Sequence, residues 1–477
     1  MYGARLSPCW GGAVLVRAVA VLVLAVAAGT VTSATAGQAR APGFGGRFDP
    51  IFVRALAAGA IKNGAIVVVR DGTVAFAKGY GLVAPGKSAV DPALSVFLAG
   101  STAKPLVAVT VLALAAEGRL RLDEDVNAVL RRGQRRALPI SNVTLRGLLT
   151  HTSGIVDDLR GALALPSGPL PSLASYFDEH PPHQRVAAGR HILYSNVGMA
   201  LAAYIAEVAT RTPFQRLVQQ HLFDPLGMNS STFAQPGQGG HAILARLVPA
   251  GPPGRQAPRL VPYPAGSLAT SAADMGRLLV ALLAGGRSGG RQALPRAAVT
   301  ALEAPSFQVA PGMPGVSAGF FEIVVGQHGL VETGDRGQHS ILYLDPSHHI
   351  GLYGVVTSAD AAAGPLRQAL IRAVMRLAGP VARFRPTGPR SVADAKRYLG
   401  TFRAVDGSGT ITIAGNARGL VARTGRHSIL LYPSRSGLFR AADGSFVAFT
   451  GLCRGRAQAL DVSDGFLGLP FVSSRAR

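Results

Sequence analysis

Cysteine is nearly missing from this 477-residue sequence. Cys9 and Cys453 are its two thiols, and neither sits in a Cys-x-x-Cys or Cys/His cluster. That excludes a disulfide framework and leaves no pattern for a structural zinc or a redox pair. Tryptophan occurs once and aromatic residues make up 6%. Acidic residues are also few, 25 against 48 basic ones, for a formal charge of +23. Almost all of the basic excess is arginine, scattered rather than blocked and without interleaved aromatics. This argues against a nucleic-acid surface and for an arginine-for-lysine compositional habit, as in a GC-rich genome. A weak association with anionic cell-envelope components remains an expectation from the charge. Beyond residue 36 no run is long and apolar enough to span a membrane. Lysine is the most telling scarcity. Lys62, Lys78, Lys87, Lys104 and Lys396 are all there are, and only Lys104 has a serine three residues before it.

Apolar residues make up 48% of the chain, ample for a large core, while 59 Gly and 32 Pro imply many turns. Residues 1–36 read as a signal peptide: Arg5, an apolar stretch Ala18–Ala28, then Ala34-Thr35-Ala36 as a small-x-small cleavage site. An N-terminal membrane anchor is the competing reading, and Arg17 with the Ala/Gly/Thr-rich end favours cleavage. Removal would take Cys9 away. Residues 37–46 form a Gly/Ala/Arg linker. A helix is expected over Phe48–Ala60, and strands over Ala65–Arg70 and Thr73–Lys78, with Asp71-Gly72 as a two-residue hairpin turn. Further helices are expected at Leu106–Ala116, Thr144–Leu149, Val197–Thr210, Pro213–Leu222 and Met275–Ala284, the last behind a Ser271/Asp274 capping box. After residue 318 the period changes to two. Phe320–Val325, Leu330–Thr333, Ser340–Asp345 and Ile350–Val356 would form an antiparallel meander, closed by a helix over Pro365–Leu377. Early strands, a helical middle and late strands predict one α+β domain whose two ends share a sheet. Proline-bearing residues 379–390 read as a second linker. From Tyr398 come short strands with glycine-rich turns, Thr410–Ile413, Leu420–Arg423, Ser428–Tyr432 and Ser445–Phe449, a small all-β domain of barrel type.

Two constellations carry chemistry. Ser101 and Lys104 are three apart at the start of an apolar helix, so Ser101 Oγ and Lys104 Nζ share a face, and a neutral lysine can activate the hydroxyl. Tyr194-Ser195-Asn196 precedes another apolar helix. A tyrosine beside a lysine can relay a proton if proximity and burial lower both pKa values, and an asparagine can hold the lysine by its oxygen and a substrate carbonyl by its nitrogen. Other patterns are discounted. Gly286-Arg287-Ser288-Gly289-Gly290 follows a helix rather than a buried strand, so it reads as a loop and not a nucleophile elbow. The prolines in Asp178-Glu179-His180-Pro181-Pro182-His183 prevent helical ligand spacing for a metal. His151 reads as a structural histidine bonding the turn that follows it, and His348-His349 as part of a hairpin turn.

With these residues in place the chain resembles the serine β-lactamase-like hydrolases, which comprise class C β-lactamases, D-alanyl-D-alanine carboxypeptidases and related esterases. The resemblance runs from about Phe48 to Leu377. It rests on Lys78-Gly79-Tyr80-Gly81, Gly100-Ser101-Thr102-Ala103-Lys104-Pro105, Leu148-Leu149-Thr150-His151-Thr152-Ser153-Gly154, Tyr194-Ser195-Asn196, Phe223-Asp224-Pro225-Leu226-Gly227-Met228 and Gly266–Asp274. Tyr398-Leu399-Gly400-Thr401-Phe402 resembles the start of a small β domain that often follows such hydrolases. The resemblance implies the β-lactamase/transpeptidase-like fold, acylation of Ser101, and base and acid roles shared by Lys104 and Tyr194. Asn196 would contact the substrate. The family's third motif, a Lys- or His-containing triplet ending in glycine, corresponds to Glu332-Thr333-Gly334, and the N–H groups of Ser101 and Asp335 would form the oxyanion hole.

Glu332 is a departure from that motif. A carboxylate there disfavours substrates bearing a carboxylate, and an uncharged ester or an amine-bearing amide fits better. The expectation is an exported serine hydrolase, without metal or organic cofactor, acting on a small-molecule or peptidyl substrate. The hydrolase domain would span residues 47–378 and the all-β domain residues 391–477. A D-alanyl-D-alanine carboxypeptidase or β-lactamase is one alternative. A catalytically inactive envelope-binding protein of the same fold is the other.

Overall fold

Strands from the two ends of one domain meet in a single sheet. The computed structural model describes residues 43–165, 169–235, 242–251, 259–324, 328–380, 391–435, 437–453, 455–463 and 468–473. The segment read as a signal peptide or anchor lies outside them, as do residues 381–390 of the second linker. No helix among the described residues is long and apolar enough to cross a membrane.

The sheet has seven antiparallel strands: β1 (Ile61–Arg70), β2 (Thr73–Gly81), β3 (Val316–Ser317), β4 (Phe320–Val324), β5 (His328–Asp335), β6 (His339–Asp345) and β7 (Ile350–Ser358), in the order β2-β1-β7-β6-β5-β4-β3. β1 and β2 are joined through Asp71 (φ 50°) and Gly72 (φ 76°), the left-handed pair that a tight hairpin requires. Ala65–Val69 are buried on both faces, as their unbroken apolar run demands of a central strand. A Cβ on Gly64 would meet Phe52, whereas the space beside Gly276 is filled by Val67, so alternate β1 residues serve opposite layers. One layer is α1 (Phe44–Ala57), packed on β1 and β2, together with the C-terminal helix. On the other side, α2 (Lys104–Ala116) is buried from Lys104 to Leu114. A helix apolar all round has no solvent face to offer and becomes the centre of the core. α3 (Asn196–Thr210) and α5 (Arg296–Glu303) pack on it, while α4 (Ala272–Leu283) packs on β1 and β7.

The expected helices and strands are present, with shifted ends. α1 starts at Phe44, inside the stretch read as a linker, and stops before Gly59, whose φ of 64° is left-handed. The last helix of the domain, α6 (Asp360–Met375), starts five residues before the expected Pro365, with Asp360 in its first turn, where a carboxylate suits the helix dipole. In the Ser271 cap, the hydroxyl accepts from Asp274 N as the capping box predicts. The Asp274 carboxylate instead accepts from Ser230 N, Ser231 Oγ and Arg277. Arg287–Ser288 pairs with Arg291–Gln292, so Ser288 sits on a hairpin and not on a nucleophile elbow.

The chain divides into two units, residues 42–308 with 314–383 and residues 384–477 with 309–313. The second is a closed antiparallel barrel of β8 (Gly400–Ala404), β9 (Thr410–Asn416), β10 (Gly419–Thr424), β11 (His427–Arg435), β12 (Leu438–Ala441), β13 (Phe446–Cys453), β14 (Arg456–Ser463) and β15 (Gly468–Ser473). Pairing of Phe402 with Ser473 closes it, which leaves no free edge. Tyr398, Phe402 and Phe439 pack around Phe449 in its core.

Candidate active site

Ser101 lies in a single 3₁₀ turn, Gly100–Ala103, that runs straight into α2 at Lys104. Three residues per turn put positions 101 and 104 on one side, so the spacing predicted for an α-helix acts here through a tighter one. The turn is pinned from several directions. Ala99 O accepts from Thr102 Oγ1 at 2.9 Å and from Ser340 Oγ at 2.5 Å, and Leu98 N donates to Gln338 Oε1 at 2.7 Å. Two glycines let the turn approach β5. A Cβ on Gly100 (φ 57°) would lie 2.6 Å from Asp335 N, and one on Gly334 would lie 2.0 Å from Ala99 O and 2.8 Å from Ser101 N. Neither position accepts a side chain.

Lys104 Nζ donates to Ser101 Oγ at 2.7 Å and to Ala265 O at 2.9 Å, and lies 4.8 Å from the centre of the Tyr194 ring. Burial lowers its pKa to about 8, against the charges of Glu332 and Asp157, which favour the ammonium form. Tyr194 OH lies 2.6 Å from the same Ser101 Oγ and donates to Asn196 Oδ1 at 3.4 Å. The expectation of a depressed tyrosine pKa is not met. Burial disfavours the phenolate, the Glu332 charge adds to the effect, and the Tyr194 pKa stands well above its ordinary value. The phenol therefore enters any reaction as a proton-bearing group.

Asn196 also differs from expectation. Its Nδ2 donates to Asp157 Oδ2 at 2.5 Å, and its oxygen faces Tyr194 rather than the lysine. Asp157 accepts as well from Asn196 N (2.6 Å) and Val197 N (3.0 Å), at the first turn of α3. Nothing in the sequence singled out Asp157, the first of two adjacent aspartates and three positions after Gly154. His151 is structural, though it does not bond the turn that follows it. Ser195 N donates to its Nδ1 at 3.2 Å and Leu193 N to its carbonyl at 2.7 Å. Burial lowers its pKa to about 3, and the neutral ring packs 4.7 Å from Tyr194 and 5.7 Å from Phe321.

Glu332, Thr333, Gly334 and Asp335 are the last four residues of β5. Side chains alternate along a strand, so Glu332 shares the face of Gly334, the face packed on the nucleophile turn. Its carboxyl is buried, and Oε2 has no hydrogen-bond partner among the described residues. Burial raises its pKa to about 8, while the Lys104 charge opposes that rise. Thr333 is half-buried between them. Asp335 projects to the other side and pairs with Arg367 of α6 at 2.8 Å. Arg336 is a further site-side cation that sequence reasoning missed. It donates to Gln235 Oε1 at 3.1 Å and to Ser267 Oγ at 3.4 Å, and burial lowers its pKa to about 10. Among the described residues no group of three or more His, Cys, Asp or Glu side chains is placed to hold a metal.

A family model described as Beta-lactamase matches residues 48–376. A Bacillus subtilis (strain 168) protein named as a penicillin-binding protein, PbpX, is 27% identical over 175 residues, 36% of this chain and 41% of that protein. The chain thus spans about two-fifths of that relative. Among solved structures, that of SurE with D-Leu is similar over 90% of this chain and 100% of SurE, with a TM-score of 0.65 and 23% identity. That of the D-alanine carboxypeptidase AmpC from Burkholderia cenocepacia is similar over 70% of this chain and 98% of its own, with a TM-score of 0.56 and 21% identity. At these identities the solved structures speak for the fold.

Proposed function

Because the chain belongs to the β-lactamase family, we propose that it is a serine hydrolase acting through an acyl-enzyme on Ser101. The observation that carries this reading is one oxygen with two partners: Ser101 Oγ lies 2.7 Å from Lys104 Nζ and 2.6 Å from Tyr194 OH. Neutral Lys104 takes the Ser101 proton as Oγ attacks a carbonyl carbon. The oxyanion forms against the N–H groups of Ser101 and Asp335. The protonated phenol of Tyr194 then gives its proton to the departing alcohol or amine, and Lys104 restores it. Water repeats the sequence on the acyl-enzyme, with the same groups moving the proton in reverse. Loss of one oxyanion donor of this kind costs about 2.7–4 kcal/mol of transition-state stabilisation.

The leading substrate class is an uncharged ester or an amine-bearing amide in the cell envelope. Glu332 supports this, because its ionised form repels a substrate carboxylate and its neutral form offers no countercharge. A D-alanyl-D-alanine carboxypeptidase or β-lactamase is the second reading. Half-buried Arg336, next to Asp335, supplies a cation that such substrates would need, and two of the similar proteins are named for penicillin binding and D-alanine carboxypeptidase activity. Export is the corresponding proposal for residues 1–36, and a weak hold on anionic envelope components the one for the basic charge.

Intact mass after incubation with a fluorophosphonate, p-nitrophenyl esters and β-lactams tests the reading. The expected result is one adduct per chain, absent in Ser101→Ala, with ester turnover faster than that of a chromogenic cephalosporin. Faster cephalosporin turnover favours the second reading. No adduct with any probe would point to the inactive binding protein.

A further inference from the structure

The peptide between Gly334 and Asp335 is held from behind the sheet. Arg367, on α6, donates through Nη2 to Gly334 O and through Nε to Ser340 O at 3.0 Å, and it pairs with the Asp335 carboxylate at 2.8 Å. Gly334 and Ser340 are register partners on β5 and β6, and Arg336 N donates to Gln338 O at 2.9 Å in the connecting turn. Backbone groups alternate in direction along a strand, so those of residues 334 and 336 turn toward β6 and those of Asp335 turn away. A trans peptide points its C=O and N–H in opposite directions. With Gly334 O directed to Arg367, Asp335 N–H is directed away from β6, and it lies 2.6 Å from where a Cβ of Gly100 would be. The same guanidinium reaches the other side of the site. Ser340, whose carbonyl it holds, donates its hydroxyl to Ala99 O at 2.5 Å, which anchors the turn that carries Ser101 N.

We propose that Arg367 is a positioning residue of the oxyanion hole, holding the Gly334–Asp335 peptide with its N–H turned to Ser101 and polarising it as a donor. A cation on the carbonyl oxygen draws charge through the amide and strengthens the N–H as a donor, as in any chain of hydrogen bonds. Arginine suits the task because its planar fork meets two carbonyls and a carboxylate at once, which a lysine cannot do. Around it stand Asp335 on β5, His339 on β6 with Nδ1 2.5 Å from Asp335 Oδ1, and Asp360 at the start of α6, 3.5 Å from His339 Nε2. Arg367 touches no reacting atom; it acts through the peptide.

This rests on the serine-hydrolase reading, and the test separates the two. Wild type, Arg367→Gln and Arg367→Lys are compared for p-nitrophenyl ester hydrolysis, with active sites counted by fluorophosphonate titration. Hydrogen exchange is followed by mass spectrometry on the peptide spanning Thr333–Arg336. Arg367→Gln should lower kcat per titrated site by about ten- to a hundredfold with KM little changed, short of the 10²–10³ seen when a donor is removed outright. Its Thr333–Arg336 peptide should exchange faster. Arg367→Lys should recover part of both, and it carries the comparison alone if the glutamine variant does not fold. A kcat per site equal to wild type, or a change confined to KM, overturns the proposal. If wild type forms no adduct at Ser101, the hydrolase reading falls, and exchange alone decides the clamp, with unchanged exchange overturning it.

Discussion

Lys104 and Glu332 are two buried, oppositely charging groups whose pKa values both come to about 8. Burial moves them toward each other, the ammonium down and the carboxyl up, while their mutual attraction resists. As the base, Lys104 must be neutral, so kcat/KM should rise with pH through about 8. An ionised Glu332 favours the charged lysine. Glu332→Gln removes that influence and should move the acid limb of the pH–rate profile to lower pH, measured with an uncharged ester. An unmoved limb would show that the Glu332 charge does not reach the base. This is the energetic consequence of a carboxylate where the family places a cation. On the proposed reading, the site loses an attraction for acidic substrates, and its base gains activity as the pH rises through about 8.

At the scale of elements, the site is held by ends and turns rather than by helix or strand interiors. Ser101 sits in the 3₁₀ turn before α2, Tyr194 in the residues before α3, and Asp335 at the end of β5. Asp157 ties its own segment to the start of α3, because it accepts from the backbone N–H groups of Asn196 and Val197 and from the Asn196 carboxamide. An anion at that end satisfies donors with no partner in the helix. Asp157→Ala should cost about 1–2 kcal/mol, the scale of a lost N-terminal cap, and should lower Tm by a few degrees in a thermal melt. An unchanged Tm would mean that water replaces the carboxylate there without penalty. The Thr150–Gly154 segment shows how such pieces were readable and how far. A structural role for His151 was legible there. The partner of His151, the N–H of Ser195, was not, because residues 44 apart meet only after the chain has folded.

Across the whole molecule, every residue of the site belongs to the unit formed by residues 42–308 and 314–383. Its sheet needs both chain ends, since β1 pairs with β7. A chain ended at residue 380 should therefore keep fluorophosphonate labelling of Ser101, whereas one ended before Ile350 should lose both labelling and cooperative unfolding. Labelling lost with the barrel alone would show that the hydrolase unit does not stand by itself. The barrel was half legible. Four of its strands announce themselves by alternation between glycine-rich turns. Gly400–Ala404, Leu438–Ala441, Arg456–Ser463 and Gly468–Ser473 do not, because small and charged residues blur their period.

The sequence alone singled out the candidate site residues and their order along the chain. A lysine in so lysine-poor a chain, one turn from a serine, is a local fact, and so are Tyr194-Ser195-Asn196 and the carboxylate at Glu332. Local periodicity also placed the sheet strands and central helices, since burial on one face or all round is written along each segment. Only the tertiary structure decided how these residues act on one another. Tyr194 holds its proton because it is buried beside an acid, Asn196 is bound to Asp157 rather than to the lysine, and Arg367 reaches through the sheet to the Gly334 carbonyl. Each depends on through-space desolvation and contact between segments tens to hundreds of residues apart, which no local pattern records.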